Sequence, residues 1–268
     1  MTKEYEAYSE MQHEYRSFVQ HNYIPLHSHL YTVNHTIFIP SFLEAIQANT
    51  SEALQQILHE EHPGIYSFDI LKPAFCKQLL EEVMWFEKWC SKQQVTIQRP
   101  NSMNNYGAIL DDFGFDSFLN HLMTEYLTPL STLLFNDVGG DSLDEHHGFI
   151  VEYKMGKDVS LDFHSDDSDV TFNVCLGREF TGGTIYFNGL LCRMCQQSPY
   201  SSFSSRQGYV EITHKVGRAL LHRGQHQHGA NAITTGERFN LILWCRSNQY
   251  RLQDNFSECP DWCDSQHA

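Results

Sequence analysis

The sequence predicts an α+β fold in which helices come first and an antiparallel β-sandwich or barrel follows. Helical patterns occupy much of residues 73–134, whereas from residue 149 onward the apolar residues form short runs separated by turn residues. Helices followed by a series of short strands are typical of this class. The chain has 268 residues, which is enough for one large domain or for one domain with an appended segment.

We expect residues 1–63 to form an appended segment of helices and loops. Within it, residues 42–58 carry apolar side chains at roughly helical spacing after Pro40-Ser41, a pair that is typical of a helix start. Several histidines fall in the polar stretch 21–35, where we expect solvated loop side chains rather than a metal site. The breaker Pro63-Gly64 ends the segment.

Residues 64–250 are predicted to form one domain, and residues 251–268 a Cys-containing C-terminal tail. A strongly amphipathic helix is predicted after Pro73, and a second helical stretch spans about 115–134. The residues that we expect on the buried side of the first helix are Phe75, Leu79, Leu80, Val83, Met84, Phe86 and Trp89. The strand patterns are residues 65–70, 149–153, 170–176, 184–187, 219–222 and 239–244.

The charge balance narrows the range of partners. With 18 Lys and Arg against 33 Asp and Glu, the formal net charge is −15. A chain this acidic is not expected to bind nucleic acid or an anionic membrane in bulk, because such binding needs a positive surface. An anionic ligand would need one specific cation against the repulsive field of the protein.

The N-terminal residues are polar and acidic, without the basic and apolar regions of a secretory signal. No apolar run reaches the length of about 20 residues that a membrane span needs. We therefore expect an intracellular protein, in the cytoplasm or the nucleus. The oligomeric state is not predicted.

The eight cysteines are expected to be reduced thiols rather than a disulfide framework. Four of them fall in helix or strand patterns and are predicted to be small core residues: Cys76, Cys90, Cys175 and Cys245. Two pairs stand apart, Cys192-x-x-Cys195 and Cys259-x-x-x-Cys263. Four thiolates can form a tetrahedral zinc site, but these spacings are irregular and unpaired thiols are the simpler interpretation. Both interpretations stay open.

The strongest local signal for chemistry is His164-Ser165-Asp166. Residues two apart on a strand point to the same face, so the imidazole and the carboxylate could reach one ion. With His228, some sixty residues later, they would complete the two-His, one-carboxylate triad of non-haem Fe(II) oxygenases. Arg238, ten residues after His228, could bind a carboxylate through its guanidinium fork.

Several neighbouring residues compete for these roles. His222 and His226 lie close to His228, and the spacing to Arg238 favours His228. Asp167 and Asp169 compete with Asp166, but we expect both to be solvated loop carboxylates. Two further features can be explained by structure alone as well as by function. Gly182-Gly183 could simply form a turn, and Asn105-Tyr106 could either line a substrate entrance or pack a loop against the barrel.

Longer motifs surround these residues: Glu152-Tyr153, Thr171-Phe172-Asn173-Val174, residues 180–187 (FTGGTIYF), residues 236–244 (GERFNLILW) and residues 99–107 (RPNSMNNYG). Together they resemble the 2-oxoglutarate- and Fe(II)-dependent dioxygenases, and within them the catalytic domain of the prolyl 4-hydroxylase and lysyl hydroxylase type. The likeness extends to the group of 2-oxoglutarate and iron-dependent oxygenase domain-containing protein two. It covers roughly residues 64–250.

The resemblance implies a double-stranded β-helix, a variant of the jelly roll. It implies that His164, Asp166 and His228 are the iron ligands and that Arg238 binds the far carboxylate of 2-oxoglutarate. Tyr153 and Asn173 match positions that assist cosubstrate binding. The implied cofactors are Fe(II), 2-oxoglutarate and O2, with L-ascorbate added by analogy only.

The function predicted by this resemblance is a dioxygenase that hydroxylates a protein or peptide side chain of prolyl or lysyl type. The sequence does not select between these residues, and a small-molecule substrate stays open. Two alternatives have different consequences. The fold could serve as a non-catalytic metal-binding interaction module, or the triad could hold zinc in a hydrolase.

Overall fold

A computed structural model describes residues 3–192, 195, 209–253 and 259–264. The α-helices are α1 Lys3–Asn22, α2 Pro40–Ala48, α3 Ser51–Ile57, α4 Pro73–Gln93, α5 Asp116–His121, α6 Thr128–Phe135 and α7 Asn248–Arg251. The strands are β1 His59–His62, β2 Ile65–Asp69, β3 Gly107–Ile109, β4 Glu145–Lys154, β5 Leu161–His164, β6 Val170–Gly177, β7 Phe180–Gly182, β8 Ile185–Leu190, β9 Val210–Ile212, β10 Arg218–Arg223, β11 His226–Ala230 and β12 Ile233–Arg246.

These strands form two antiparallel sheets. The larger sheet has the order β1-β2-β10-β6-β12-β4-β3, and β7 pairs with the first residues of β12. The smaller sheet has the order β5-β11-β8-β9. Residues of both sheets line one cavity between them. Two antiparallel sheets that enclose a cavity agree with the predicted jelly-roll core.

The long strand β12 shows how the larger sheet separates two environments. Its residues Arg238, Asn240 and Ile242 line the cavity, whereas Leu241 and Leu243 lie in the main hydrophobic core on the other face. This division follows from the alternation of side chains along a strand. Arg238 and Asn240 therefore face the cavity, while Leu241 and Leu243 pack in the main core.

Helix α4 covers the outer face of the larger sheet. It begins at Pro73, whose missing N–H is harmless in the first turn, and it ends before Gln94, which is in the left-handed conformation. The predicted apolar face is confirmed: five of its seven residues are buried, and Met84 and Trp89 are partly buried against the same core. Among the described residues, no helix is long and apolar enough to cross a membrane.

Two helix predictions need correction. The stretch 42–58 is not one helix but α2 and α3, because Asn49 adopts the left-handed conformation and Thr50 caps α3 by accepting from the N–H of Ala53. The stretch 115–134 contains a π-helical segment at Leu122–Leu127 between α5 and α6. Pro129 in the next turn lacks an N–H and cannot continue a regular α-helical ladder.

All six predicted strand patterns lie within or overlap observed strands: β2, β4, β6, β8, β10 and β12. The strands that were not predicted are β1, β3, β5, β7, β9 and β11, which have three to five residues each. Such runs are too short, and β1 and β11 too polar, to show a clear period in the sequence. The four predicted core cysteines are all buried.

The segment 1–63 is tied to the rest of the chain through shared packing. Val19 and Phe42 are fully buried in the same hydrophobic core as α4 and the larger sheet. Strand β1, which ends this segment, pairs with β2. The segment thus contributes to the core that supports the larger sheet.

A buried carboxylate fastens this segment to α4. Glu82 is fully buried and accepts hydrogen bonds from the hydroxyls of Tyr23 and Tyr31, at 2.6 and 2.8 Å. It also accepts from the backbone N–H groups of Leu26 and His27, at 3.2 and 2.6 Å. Four donors from one segment therefore depend on a single side chain of the helix, which explains how a carboxylate can lie inside an apolar face.

We predict that Glu82→Ala lowers the free energy of unfolding by about 3 kcal/mol, because it leaves several buried donors without an acceptor. Urea denaturation followed by circular dichroism measures this change. The matched control is Glu81→Ala, since Glu81 is the neighbouring, more exposed glutamate and bonds to His27 at the surface. The control should lose under about 1 kcal/mol; equal losses in both variants would contradict the proposed role of Glu82.

Candidate active site

Three predicted metal ligands meet at one edge of the smaller sheet. His164 is the last residue of β5, and His228 lies in the middle of β11. The two strands pair so that His164 stands opposite His228. Asp166 follows β5 and is buried. Antiparallel pairing therefore joins two histidines that are 64 residues apart, and the turn after β5 adds the carboxylate.

The ligand atoms of these three residues are close together. The Nε2 atom of His164 lies 3.5 Å from Oδ1 of Asp166, and the Nε2 atom of His228 lies 3.7 Å from Oδ2. The imidazole centroids are 4.3 Å apart. One donor atom from each of the three residues lies within 4.8 Å of the other two. The three groups could therefore bind one ion.

Hydrogen bonds determine which imidazole nitrogen is available. Nδ1 of His164 donates to the carbonyl of Asp162, and Nδ1 of His228 donates to the carbonyl of His226, each at 2.8 Å. Because a neutral imidazole has one N–H, both Nε2 atoms are left with a lone pair. This arrangement, in which the second nitrogen bonds to a carbonyl, is typical of metal-binding histidines.

The carboxylate is held in the same way. Asp166 Oδ2 accepts from the hydroxyl of Thr171 at 2.7 Å, and the Thr171 hydroxyl lies 2.6 Å from that of Ser168. The backbone N–H of Asp166 donates to the carbonyl of Gly224 at 2.8 Å. These contacts orient the buried carboxylate of Asp166, and the imidazoles of His164 and His228 lie beside it.

Burial and mutual charge set the protonation states. Burial lowers the pKa of His228 to about 3, so its imidazole is neutral at neutral pH. Burial opposes ionisation of Asp166, but the adjacent His228 and His164 outweigh it and lower the pKa of the carboxyl below its usual range. Burial also opposes protonation of His164, and the hydrogen bond and charge of Asp166 outweigh it and raise the pKa of that imidazole.

The structure departs from the expected placement of Asp166. Strand β5 ends at His164, so Asp166 does not share its strand face but reaches the site from the following turn. Asp169 also differs from expectation: it is buried, forms an ion pair with Arg251 at 2.9 Å and accepts from the N–H of Ser247. Asp167 is half exposed and forms an ion pair with Arg246 at 3.2 Å.

The competing histidines do not belong to the ligand cluster, although the ring centroid of His222 lies 5.1 Å from that of His228. The pairing of β11 with β8 shifts register between His226 and His228, and His226 lines a different pocket together with Arg223 and Trp262. His222 is fully buried, and its Nδ1 donates to the carbonyl of Arg223. Burial lowers the pKa of both imidazoles. Of the three histidines, His228 is the one in the cluster with His164 and Asp166.

The triad opens into a cavity of about 360 Å³ between the two sheets. Its apolar walls include Leu161 and Ile185 of the smaller sheet and Ile242 and Trp244 of the larger one. A volume of this size is at the lower end of the range for small-molecule sites. The cavity is thus suited to a compact ligand beside the triad.

Arg238 is the one Lys or Arg among the described residues that line this cavity. It is 2% exposed, and its guanidinium carbon lies 4.2 Å from the ring centroid of Tyr153. One of its nitrogens donates to the carbonyl of Gly183. No carboxylate in the described part of the chain forms an ion pair with it, and its Nε has no partner there.

The Arg238 guanidinium and two other buried polar groups lack partners in the described chain, which indicates that the cavity binds a polar ligand. Asn240 Oδ1 and Trp244 Nε1 are also buried in the cavity wall without a partner in the described chain. Buried polar groups are nearly always hydrogen-bonded, so three unpaired ones around a cavity suggest that a ligand completes them. Burial lowers the pKa of Arg238, but a guanidinium stays protonated at neutral pH.

Comparison with known proteins identifies the family. A family model described as the OGFOD2-like domain matches residues 19–140. The human 2-oxoglutarate and iron-dependent oxygenase domain-containing protein 2 is 35% identical over 257 residues, which cover 92% of this chain and 69% of that protein. The chain belongs to this family. Another relative, the Arabidopsis thaliana protein named 2-oxoglutarate and iron-dependent oxygenase domain-containing protein CP2, is 46% identical over 252 residues.

The chain is shorter than the relatives it matches. It covers 63% and 62% of the two Arabidopsis proteins, while 93% of its own length aligns with each. Among solved structures, a Trichoplax adhaerens prolyl hydroxylase, in complex with a hypoxia inducible factor peptide, superposes with a TM-score of 0.51 at 13% identity. That match covers 82% of this chain and 97% of that one, and it confirms the double-stranded β-helix fold.

In this member of the OGFOD2-like family, Tyr153 and Asn173 both line the cavity. The Tyr153 hydroxyl accepts from the side chain of Asn104 at 3.3 Å, and the side-chain Oδ1 of Asn173 accepts from Asn240 Nδ2 at 2.7 Å. The lining residues that were not predicted as site residues include two polar ones, Asn240 and the half-buried His214. Asn240 could have been found from its place two residues after Arg238, on the same strand face.

The remaining motifs also have clear positions. Asn105 packs a loop, since its backbone and side-chain N–H groups both donate to Asp158, whereas the preceding residues 101–104 line the cavity. Gly183 has a positive φ of 64°, and a Cβ there would lie 2.7 Å from the side chain of Ile233 and 3.3 Å from the guanidinium of Arg238. A side chain at this position would be strained at this φ and would press on Ile233 and on the arginine, so the position favours glycine.

We predict that Thr171→Val weakens Fe(II) binding about 10- to 100-fold, because Asp166 loses the hydrogen bond that orients it. Isothermal titration calorimetry under anaerobic conditions measures the affinity. Thr181→Val is the matched control, since Thr181 is exposed and bonds only to Thr234 and Thr235. Unchanged affinity in the Thr171 variant would show that Asp166 needs no support from this hydroxyl.

Proposed function

We propose that this chain is a non-haem Fe(II)- and 2-oxoglutarate-dependent dioxygenase. The observation that carries the proposal is the combination, in one cavity, of a His-Asp-His donor set with a buried arginine that forms no ion pair among the described residues. Two imidazoles and one carboxylate suit Fe(II) and leave coordination positions open. The arginine supplies the positive charge that an acidic protein must provide for an anionic cosubstrate.

In this proposal His164, Asp166 and His228 hold the iron, which supplies the chemistry of dioxygen activation when it is bound. The chain keeps the His228 imidazole neutral and the Asp166 carboxyl ionised, so these two ligands can bind without losing a proton first. Asp166 raises the pKa of His164, so binding of the metal displaces any proton on that imidazole. The hydrogen bonds from Nδ1 of each histidine and from Thr171 maintain their orientation.

The other cavity residues position the cosubstrate. Arg238 binds the 5-carboxylate of 2-oxoglutarate, and its free Nε and the adjacent Tyr153 supply donors for a carboxylate at that end. Asn173 and its partner Asn240 provide further polar contacts along the same wall. The apolar side chains of Leu161, Ile185 and Ile242 restrict water, which strengthens the electrostatic contacts.

We further propose that the substrate is a protein or peptide side chain of prolyl or lysyl type, which becomes hydroxylated. The resemblance to prolyl and lysyl hydroxylases supports this class, and a solved neighbour is a prolyl hydroxylase with a bound peptide. L-Ascorbate as a supporting reductant, and a location in the cytoplasm or nucleus, belong to the same proposal. Turnover with and without ascorbate, and imaging of the full-length protein, test these two parts.

The alternatives fit the cavity less well. A non-catalytic module has no need for a complete set of metal ligands. A zinc hydrolase gives no role to Arg238, which is buried and has no counter-ion among the described residues. The deciding observation is anaerobic titration of the Fe(II)-loaded protein with 2-oxoglutarate. A visible charge-transfer absorption would support the dioxygenase, whereas bound iron without this absorption would favour the module or the hydrolase.

We predict that Asp166→Ala and His228→Ala each abolish iron binding and the conversion of 2-oxoglutarate to succinate, because two protein ligands do not suffice. Mass-spectrometric measurement of succinate detects turnover. Glu211→Ala is the control, since this exposed carboxylate lies on β9 of the same sheet, away from the cavity lining, and accepts from the hydroxyls of Thr184 and Tyr209. Wild-type succinate production in either triad variant would reject the assignment of the metal site.

We predict that Arg238→Ala raises KM for 2-oxoglutarate about 30-fold or more, since loss of a buried charge contact costs about 2 kcal/mol or more. Arg238→Lys should give a smaller increase because it keeps the charge without the fork. Arg218→Ala is the control: Arg218 lies on β10 of the same sheet but forms its ion pair with Glu61 away from the cavity. An unchanged KM in Arg238→Ala would place the carboxylate contact elsewhere.

A further inference from the structure

Four cysteines from two distant parts of the chain meet at one point. Cys192 and Cys195 follow β8, and Cys259 and Cys263 belong to the C-terminal tail. Their four sulfur atoms all lie within 4.8 Å of one another. Cys192 and Cys263 are buried, and Cys195 and Cys259 are half-buried. This cluster contains half of the eight cysteines and is separate from the His-Asp-His triad.

The distances within the cluster suit a shared metal ion better than disulfide bonds. The Sγ atoms of Cys195 and Cys259 are 3.6 Å apart, whereas a disulfide requires about 2.05 Å. Four sulfurs at about 2.3 Å from a tetrahedral zinc ion lie roughly 3.8 Å from one another. The Sγ of Cys263 also accepts a hydrogen bond from the backbone N–H of Cys192 at 3.3 Å, a contact that stabilises a thiolate.

We propose that Cys192, Cys195, Cys259 and Cys263 bind one structural zinc ion as four thiolates. Four sulfur ligands select zinc over harder cations such as Mg²⁺ and Ca²⁺. Because all four positions are taken by protein, the site leaves no place for water or substrate and has no catalytic role. The inference does not depend on the proposed dioxygenase activity, since it uses none of the triad or cavity residues.

The role of the ion would be to fasten the tail to the smaller sheet. Other contacts of the described tail reach both sheets: Asp264 Oδ2 accepts from the N–H of Leu190 on β8 at 2.5 Å, and the Trp262 ring centroid lies 5.9 Å from the guanidinium of Arg223 on β10. Leu190 ends β8 and pairs with His226 of β11, the strand that carries His228. Zinc would thus stabilise the end of β8, which pairs with β11, the strand that carries His228.

The first test is the metal content of the whole chain, produced with zinc in the medium and purified under reducing conditions. We expect one zinc per chain in His164→Ala/Asp166→Ala, which removes the triad, and at least as much in the wild type. Cys259→Ser/Cys263→Ser introduced into this triad variant should leave no zinc. Equal zinc in the triad variant with and without the two serine substitutions, or iron or no metal at the cysteines, would overturn the proposal.

A second measurement separates loss of the site from misfolding. Cobalt(II) in place of zinc should give the strong visible absorption of a tetrahedral thiolate site in the wild type and in the triad variant. Cys263→His keeps four ligands of zinc type, so it should retain zinc and shift this absorption. Loss of zinc in Cys263→His with a native circular dichroism spectrum would contradict the site. So would disulfide-linked peptides of Cys195 and Cys259 in the reduced, purified protein.

Discussion

The geometry of the candidate active site depends on the register of β11 in the smaller sheet. This strand lies between β5 and β8, and its pairing places His228 opposite His164 on one side and opposite Phe187 on the other. A shift by one residue would turn His228 to the opposite face and separate it from Asp166. The irregular register between His226 and His228 is therefore part of the site, because it leaves only the second of these histidines in the cluster.

The larger sheet supplies the complementary half of the cavity, and its main feature is a buried guanidinium. Arg238 lies in a protein of net charge −15, yet no described carboxylate neutralises it. Desolvating such a charge is unfavourable unless it is compensated. The ring of Tyr153 and the carbonyl of Gly183 compensate it only in part, which leaves a binding capacity for an anion. A single buried cation in an otherwise acidic protein favours the binding of one anionic group beside Arg238.

The smaller sheet joins two donor sets with different chemistry. Two imidazoles and a carboxylate lie at β5 and β11 and face the cavity, whereas four thiols lie beyond the end of β8. Open coordination by nitrogen and oxygen suits reactive iron, and closed coordination by sulfur suits structural zinc. The two proposed sites can coexist because they differ in ligand type, and because the thiol site has no open coordination position whereas the triad site does.

The sequence by itself determined much of this protein. The spacing of apolar residues along the chain predicts helix α4 and six strands. The spacing of His164, Asp166, His228 and Arg238 indicates the candidate site. It did not show that Asn49 divides a helix, that Asp166 lies beyond its strand or that Asp169 is buried. It also did not show that the four outlying cysteines lie together. Only the tertiary structure decided these points, because burial, strand register and the meeting of distant segments arise from long-range packing rather than from local spacing.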